Sequence, residues 1–128
     1  MNCKNNKKYT LIRFNFKGFH PKLLEKSLIK IQKKIKLMNI YSRGIIFLPL
    51  KTKRFTVLRS PHVYKKAREQ FEIKLHHRSF ITLFDFNSEY DKKKAKLFIN
   101  FVKACCAGIQ LKITYQTIYK NKNYFLNN

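Results

Sequence analysis

A chain of 128 residues with 45% hydrophobic content has material for one domain with a modest core, and it is too apolar to be disordered throughout. Its net charge of +23, from 29 Lys and Arg against 6 Asp and Glu, is self-repulsive and calls for a polyanionic partner. Six carboxylates (Glu25, Glu69, Glu72, Asp85, Glu89 and Asp91) and three glycines argue against a paired-carboxylate hydrolase, a hard-cation cage and a glycine-rich phosphate loop.

Residues 1–8 read as a basic tail, 9–118 as a single domain, and 119–128 as a polar tail rich in Asn and Lys. Residues 9–17 alternate, with Ile12, Phe14 and Phe16 on one face and Leu11, Arg13, Asn15 and Lys17 on the other, which predicts a half-buried strand. Gly18 breaks it, and Pro21 is placed for a first helical turn. Leu24, Leu28, Ile31 and Ile35 then recur at helical spacing, predicting a helix over 21–38. A second strand is expected over 40–50, where Gly44 and Pro49 interrupt Ile40, Ile45, Ile46, Phe47, Leu48 and Leu50.

From 49 to about 70 the composition changes. This stretch carries Lys51, Lys53, Arg54, Arg59, Lys65, Lys66 and Arg68, and its apolar residues are too sparse for a helical stripe. Strand character returns over 69–84, where Phe71, Ile73 and Leu75 alternate with Glu72, Lys74 and His76. Ser88 opens an S-x-x-D pattern with Asp91 ahead of a helix over 89–106 marked by Ala95, Phe98, Val102 and Cys106. Gly108 ends it, and Ile109, Leu111, Ile113 and Tyr115 alternate as a last strand.

The order β-α-β, a long excursion, then β-α-β fits two right-handed crossovers in one sheet. The expected class is α+β, ferredoxin-like: a four-stranded sheet, two helices on one face, and an extended hairpin arm between the two middle strands. Hairpin loops usually run two to five residues, so an excursion of this length points to function. Its basic side chains suit phosphates, and Phe55, Tyr64 and Phe71 suit stacking on unpaired bases or docking on a partner.

Other chemistry finds little support. Cys3, Cys105 and Cys106 form neither a disulfide framework nor a zinc spacing, and the adjacent pair sits near a helix's apolar face. His76 and His77, being adjacent on a strand, point to opposite faces, and no acid or Cys stands at ligand spacing. No catalytic residue, metal site, cofactor or small-molecule substrate is expected, and no membrane span of about 20 apolar residues occurs. The start MNCKNNKKYT has neither a secretory h-region nor an Arg- and Ser-rich transit character. Phe, Tyr, Ile, Asn and Lys make up over half the chain, which suits an AT-biased genome. The expected location is the mitochondrial ribosome with an organelle-encoded gene, the alternatives being a plastid or a bacterial cytoplasm.

The letters of one segment carry a resemblance. RFTVLRSPHVYKKAREQFEIKLHHR, residues 54–78, resembles the most characteristic stretch of the tenth small-subunit ribosomal protein family. Arg54, Phe55, Thr56, Val57 and Leu58 match its R-F-T-V-L, and Ser60, Pro61, His62 and Val63 match its S-P-H-V. Lys65, Ala67, Arg68, Gln70, Glu72, Ile73, His76 and Arg78 fit the run that follows. Arg43, Gly44, Leu48 and Pro49 fit its R-G-P-I-P-L-P-T, with Ile45 and Phe47 in place of prolines and Leu50 in place of the threonine. The start, IRFNFKGFHPKLLEKS, is similar to the family's first strand and helix, with His20 where an Asp often caps.

The resemblance, covering about 9 to 115, implies a structural role in the head of the small ribosomal subunit. The arm would thread among ribosomal RNA and the third, ninth and fourteenth small-subunit proteins. The residues expected on RNA are Lys51, Lys53, Arg54, Arg59, His62, Lys65, Lys66, Arg68, His76 and Arg78. Phe55, Pro61, Val63 and Tyr64 are expected against protein, with the tip between Ser60 and Lys66. The family also implies an alternative activity, transcription antitermination with a helical RNA-binding partner.

Overall fold

The computed structural model describes residues 7–58 and 68–120. Strand β1 (Lys7–Gly18) leads to helix α1 (Pro21–Leu37), strands β2 (Tyr41–Ser42), β3 (Ile46–Leu58) and β4 (Arg68–Asp85), helix α2 (Glu89–Cys105) and strand β5 (Gln110–Lys120). All strand pairs are antiparallel, in the order β2-β4-β1-β5, with β3 also on β4. This is the ferredoxin-like α+β arrangement. Both crossovers return their strand to the same sheet, so the two helices share one face.

The core forms where one face of the sheet meets the helices. Ile12, Phe14 and Phe16 of β1 are fully buried, as their alternation predicts. Phe14 lies opposite Phe80 in the β1–β4 register, and the two rings stack with centroids 4.8 Å apart. Phe98 of α2 meets Phe14 edge-on at 5.8 Å, joining the helix layer to the sheet by a second favoured aromatic geometry. Leu24, Leu28 and Ile31 of α1 and Ala95, Phe98 and Val102 of α2 complete the cluster, with Ile35 and Cys106 half-buried at its margin.

The helix ends follow from their sequences. Ser88 caps α2 by accepting a hydrogen bond from the Tyr90 backbone N–H at 3.2 Å, and Glu89 and Asp91 place negative charge in the first turn. His20 at the start of α1 makes no side-chain cap; Pro21 supplies the preset φ instead. Gly108, after α2, has φ +75°, a backbone angle that side-chain-bearing residues adopt with strain.

Three differences from the sequence reading stand out. The sheet has five strands rather than four, because the second strand is divided at Arg43–Ile45. Ser42 pairs with Thr82 and Ile46 with Ser79, so four steps on one side oppose three on the other; a residue is inserted. A second insertion lies between Leu48 and Lys51, at Pro49, which has no N–H for the ladder. Next, the extended hairpin expected over this stretch is a direct continuation of β3 and β4, a ladder running from Lys51 through Leu58, which pairs with Arg68. Backbone pairing needs no apolar periodicity, so composition did not reveal its extent. Finally, β5 continues past Tyr115 to Lys120, and β1 begins at Lys7, the two ends pairing with each other inside what read as tails.

Candidate nucleic-acid interface

The hairpin of β3 and β4 positions the candidate residues. Residues 46–55 of β3 are all exposed, as are Glu72, Ile73 and Lys74 across from them. No hydrophobic residue between Tyr41 and Ser79 belongs to the buried core among the described residues. The ladder therefore leaves the helix-covered part of the sheet and runs on as a two-stranded arm. Pairing runs Lys51 with Leu75, Lys53 with Ile73, Arg54 with Glu72 and Phe55 with Phe71. Each strand presents alternate residues to opposite faces, so Lys51, Lys53 and Phe55 share one face while Thr52 and Arg54 share the other.

Of the residues expected on RNA, Lys51, Lys53 and Arg54 lie together on β3 and are exposed. Arg54 reaches Glu72 across the strand pair at 3.7 Å, an exposed contact worth at most about 1 kcal/mol, so its guanidinium stays available. Arg68 opens β4, opposite Leu58. Arg59, His62, Lys65 and Lys66 lie outside the described residues, as do Pro61, Val63 and Tyr64 of the expected protein contacts. Phe55, the remaining one of that set, is 48% exposed on β3. Ile73 and Leu75, which alternate in sequence like a core face, fall on the face away from the helices, because the core positions of β4 are Phe80, Thr82 and Phe84.

His76 and His77 do take opposite faces, and their settings differ. His76 is half-buried, whereas His77 is 7% exposed and its Nε2 has no hydrogen-bond partner. Burial first, then the positive charges of Lys17 and Lys51, lower the His77 pKa from 6.5 and hold the ring neutral at physiological pH. Arg78 is more engaged than a free phosphate-seeking side chain. Its Cζ lies 4.3 Å from the Phe47 ring centroid, and one guanidinium nitrogen donates to the His77 carbonyl at 2.9 Å.

Sequence reasoning passed over two elements of this surface. Phe47 reads as an apolar strand residue, yet it is 68% exposed and pairs with Arg78. Lys17 reads as the polar side of β1, yet it stands directly opposite His77. The alternation Leu11, Arg13, Asn15, Lys17 was the available signal, but its partners across the sheet depend on register.

The remaining reactive groups do not assemble. Burial, reinforced by Cys105, pushes the Cys106 thiol up to about 11, so it stays protonated and weakly nucleophilic. No group of three His, Cys, Asp or Glu side chains could hold a metal among the described residues. No described helix is long and apolar enough to cross a membrane.

Two comparisons bear on this geometry. The small ribosomal subunit protein uS10 of Sulfurovum sp. (strain NBC37-1) is 46% identical over 67 residues, an alignment covering 52% of this chain and 65% of that relative. The family model described as ribosomal protein S10p/S20e matches residues 13–114, a span from within β1 to within β5 that includes the whole arm. The chain belongs to the ribosomal protein S10p/S20e family.

Proposed function

We propose that this chain is a structural constituent of the small ribosomal subunit, holding ribosomal RNA in the subunit head. The observation that carries the reading is the arm. A basic two-stranded ladder with no buried core residue among those described projects from a small, well-packed platform, and it lies within the family match. Ordering about 20 residues costs roughly 1–2 kcal/mol each in backbone entropy, and an arm so strongly positive in net charge cannot offset that internally. Neighbouring RNA and protein can, so the platform supplies rigidity and the arm supplies reach.

In this reading Lys51, Lys53, Arg54, Arg59, Lys65, Lys66 and Arg68 neutralise phosphates, joined by His62, His76 and Arg78. Phe55, Pro61, Val63 and Tyr64 pack on protein, with the third, ninth and fourteenth small-subunit proteins as the neighbours. The domain spans 9–118 with the arm over 49–70. The role needs no catalytic group or cofactor. The AT-biased composition supports a mitochondrial ribosome and an organelle gene.

The test is charge reversal at Arg59, Lys65 and Arg68, which sets like charge against phosphate and leaves the core untouched. The variant should fold and be depleted from purified small subunits, or yield subunits with a disordered head. Normal occupancy with an ordered head would remove the arm from the function. It would also favour work done by the core alone, such as antitermination with a helical partner.

A further inference from the structure

We propose that Lys17, Lys51 and His77 form a phosphate subsite on the uncovered face of the sheet, separate from the arm's tip, which takes a backbone phosphate of RNA. The inference rests on the RNA-binding reading above and deepens it.

The register builds the subsite. Lys17 of β1 lies directly opposite His77 of β4, on the face turned away from the helices. Lys51 of β3 lies opposite Leu75, the next residue of β4 on that same face, and so is diagonal to His77 from the other side. Directly opposed residues have Cβ atoms about 5 Å apart and diagonal ones about 7–8 Å, so two flexible ammonium groups flank one imidazole. The second inserted residue, at Pro49, brings Lys51 rather than Leu50 to this face.

Three features point to an anion. His77 is more than nine-tenths buried, and its Nε2 has no partner, which is a costly arrangement for a polar ring atom. The two ammonium groups repel positive charge at that ring and have no carboxylate beside them. Among residues whose side chains are described, the acid on this face of β4 is Asp85, opposite Tyr9 and about 26 Å along the strand. The surface around joins apolar residues, Leu48 directly opposite His77 and Ile46 opposite Ser79, to polar and basic ones: Asn15 lies opposite Ser79 and Lys112, and Arg13 opposite Thr114. One phosphate there would answer both lysines and accept from an imidazole N–H.

Phosphate has a second effect that simple lysine attraction lacks. Removing the repulsion from Lys17 and Lys51 makes the charged imidazole easier to form, so His77 should titrate at higher pH when RNA is bound. A packing histidine unrelated to RNA would not change.

The experiment uses the full chain and a short oligouridylate. Binding is followed by fluorescence anisotropy across a salt series, and the His77 ring resonance by NMR against pH, free and saturated. Lys17→Gln with Lys51→Gln is compared with Lys30→Gln and Lys33→Gln, which remove the same charge from exposed positions on α1. The first pair should weaken binding about tenfold and lower the logarithmic salt slope by about 0.7, the value for one phosphate on a single strand. The second pair should weaken it no more than about threefold, and the His77 midpoint should rise on binding. Equal losses from the two pairs, or a His77 midpoint that stays put, would overturn the subsite while leaving RNA binding intact. Wild-type chain with no salt-sensitive binding at all would overturn the subsite and the RNA reading together.

Discussion

Arg78 and Phe47 face each other across β4 and β3, with the guanidinium carbon 4.3 Å from the ring centroid. The ring is 68% exposed, so it shields little of itself by this contact; what it does is fix the cation. One guanidinium nitrogen is already committed to the His77 carbonyl, and Nε is buried without a partner. A proline at position 47, which the family resemblance places there, has no aromatic face to offer. This chain therefore anchors its arm's root by a contact of its own.

Phe47→Ala should cost about 0.5–1 kcal/mol, the range for an exposed cation–π pair. Urea unfolding would measure it. Arg78→Ala made in the Phe47→Ala background should then cost less than in wild type, and strict additivity would show that the two are not coupled.

The arm should be dispensable for folding. Replacing residues 53–73 with a short Gly/Ser turn removes no buried hydrophobic residue among those described and leaves the Phe14–Phe80–Phe98 cluster whole. The shortened chain should retain one cooperative thermal transition. Loss of that transition would mean that the arm belongs to the core after all.

Free protein should lose stability as pH falls below about 6.5. The His77 pKa is lowered in the folded state, so between that value and 6.5 the unfolded chain binds more protons and stability rises with pH. Above 6.5 the contribution is fully present, and it fades as pH drops through the folded pKa. Lys17→Gln with Lys51→Gln relieves part of the repulsion and should flatten the slope, as read from urea midpoints between pH 5 and 7.5. An unchanged slope would place the effect on other groups.

Ser27 ties the two helices together. Its hydroxyl oxygen lies 3.0 Å from the Cys105 carbonyl at the end of α2 and 3.1 Å from the Leu23 carbonyl in its own helix. Ser27→Ala leaves the Cys105 carbonyl without this donor and should destabilise by about 1–2 kcal/mol. Ser27→Thr keeps the hydroxyl and should recover part of that loss, if the added methyl is accommodated.

How far the fold could be read from the letters depended on which force set each element. Ile12, Phe14 and Phe16, like Leu24, Leu28 and Ile31, carry the periods of strand and helix because burial selects them, and both elements lie where those periods put them. The hairpin arm is expected from the letters, but the extent of its ladder and the ends of β1 and β5 are set by backbone pairing, which leaves no side-chain period. The site divides in the same way. Lys51, Lys53 and Arg54 announce themselves as a basic run, and the ladder places them on one strand. Lys17, His77 and Lys51 come together only through the pairing of three strands, and Phe47 finds Arg78 only across a register that the first inserted residue has shifted.

Those two insertions cancel. Before the first, odd-numbered residues face odd-numbered ones across the ladder, Tyr41 against Leu83; between them, even meets odd, Leu48 against His77; after the second, odd meets odd again, Lys51 against Leu75. Because a pleat has a period of two, straightening either irregularity with the chain length unchanged would slide β3 by one residue along β4 and present Thr52 and Arg54 where Lys51, Lys53 and Phe55 now lie. Straightening both would slide it by two, keeping every face beyond them and giving each residue a new partner. Deleting the extra residue itself would do neither, because the pairs beyond it keep their register; each irregularity is a point where the root of the arm can change length by one while the arm's faces stay as they are.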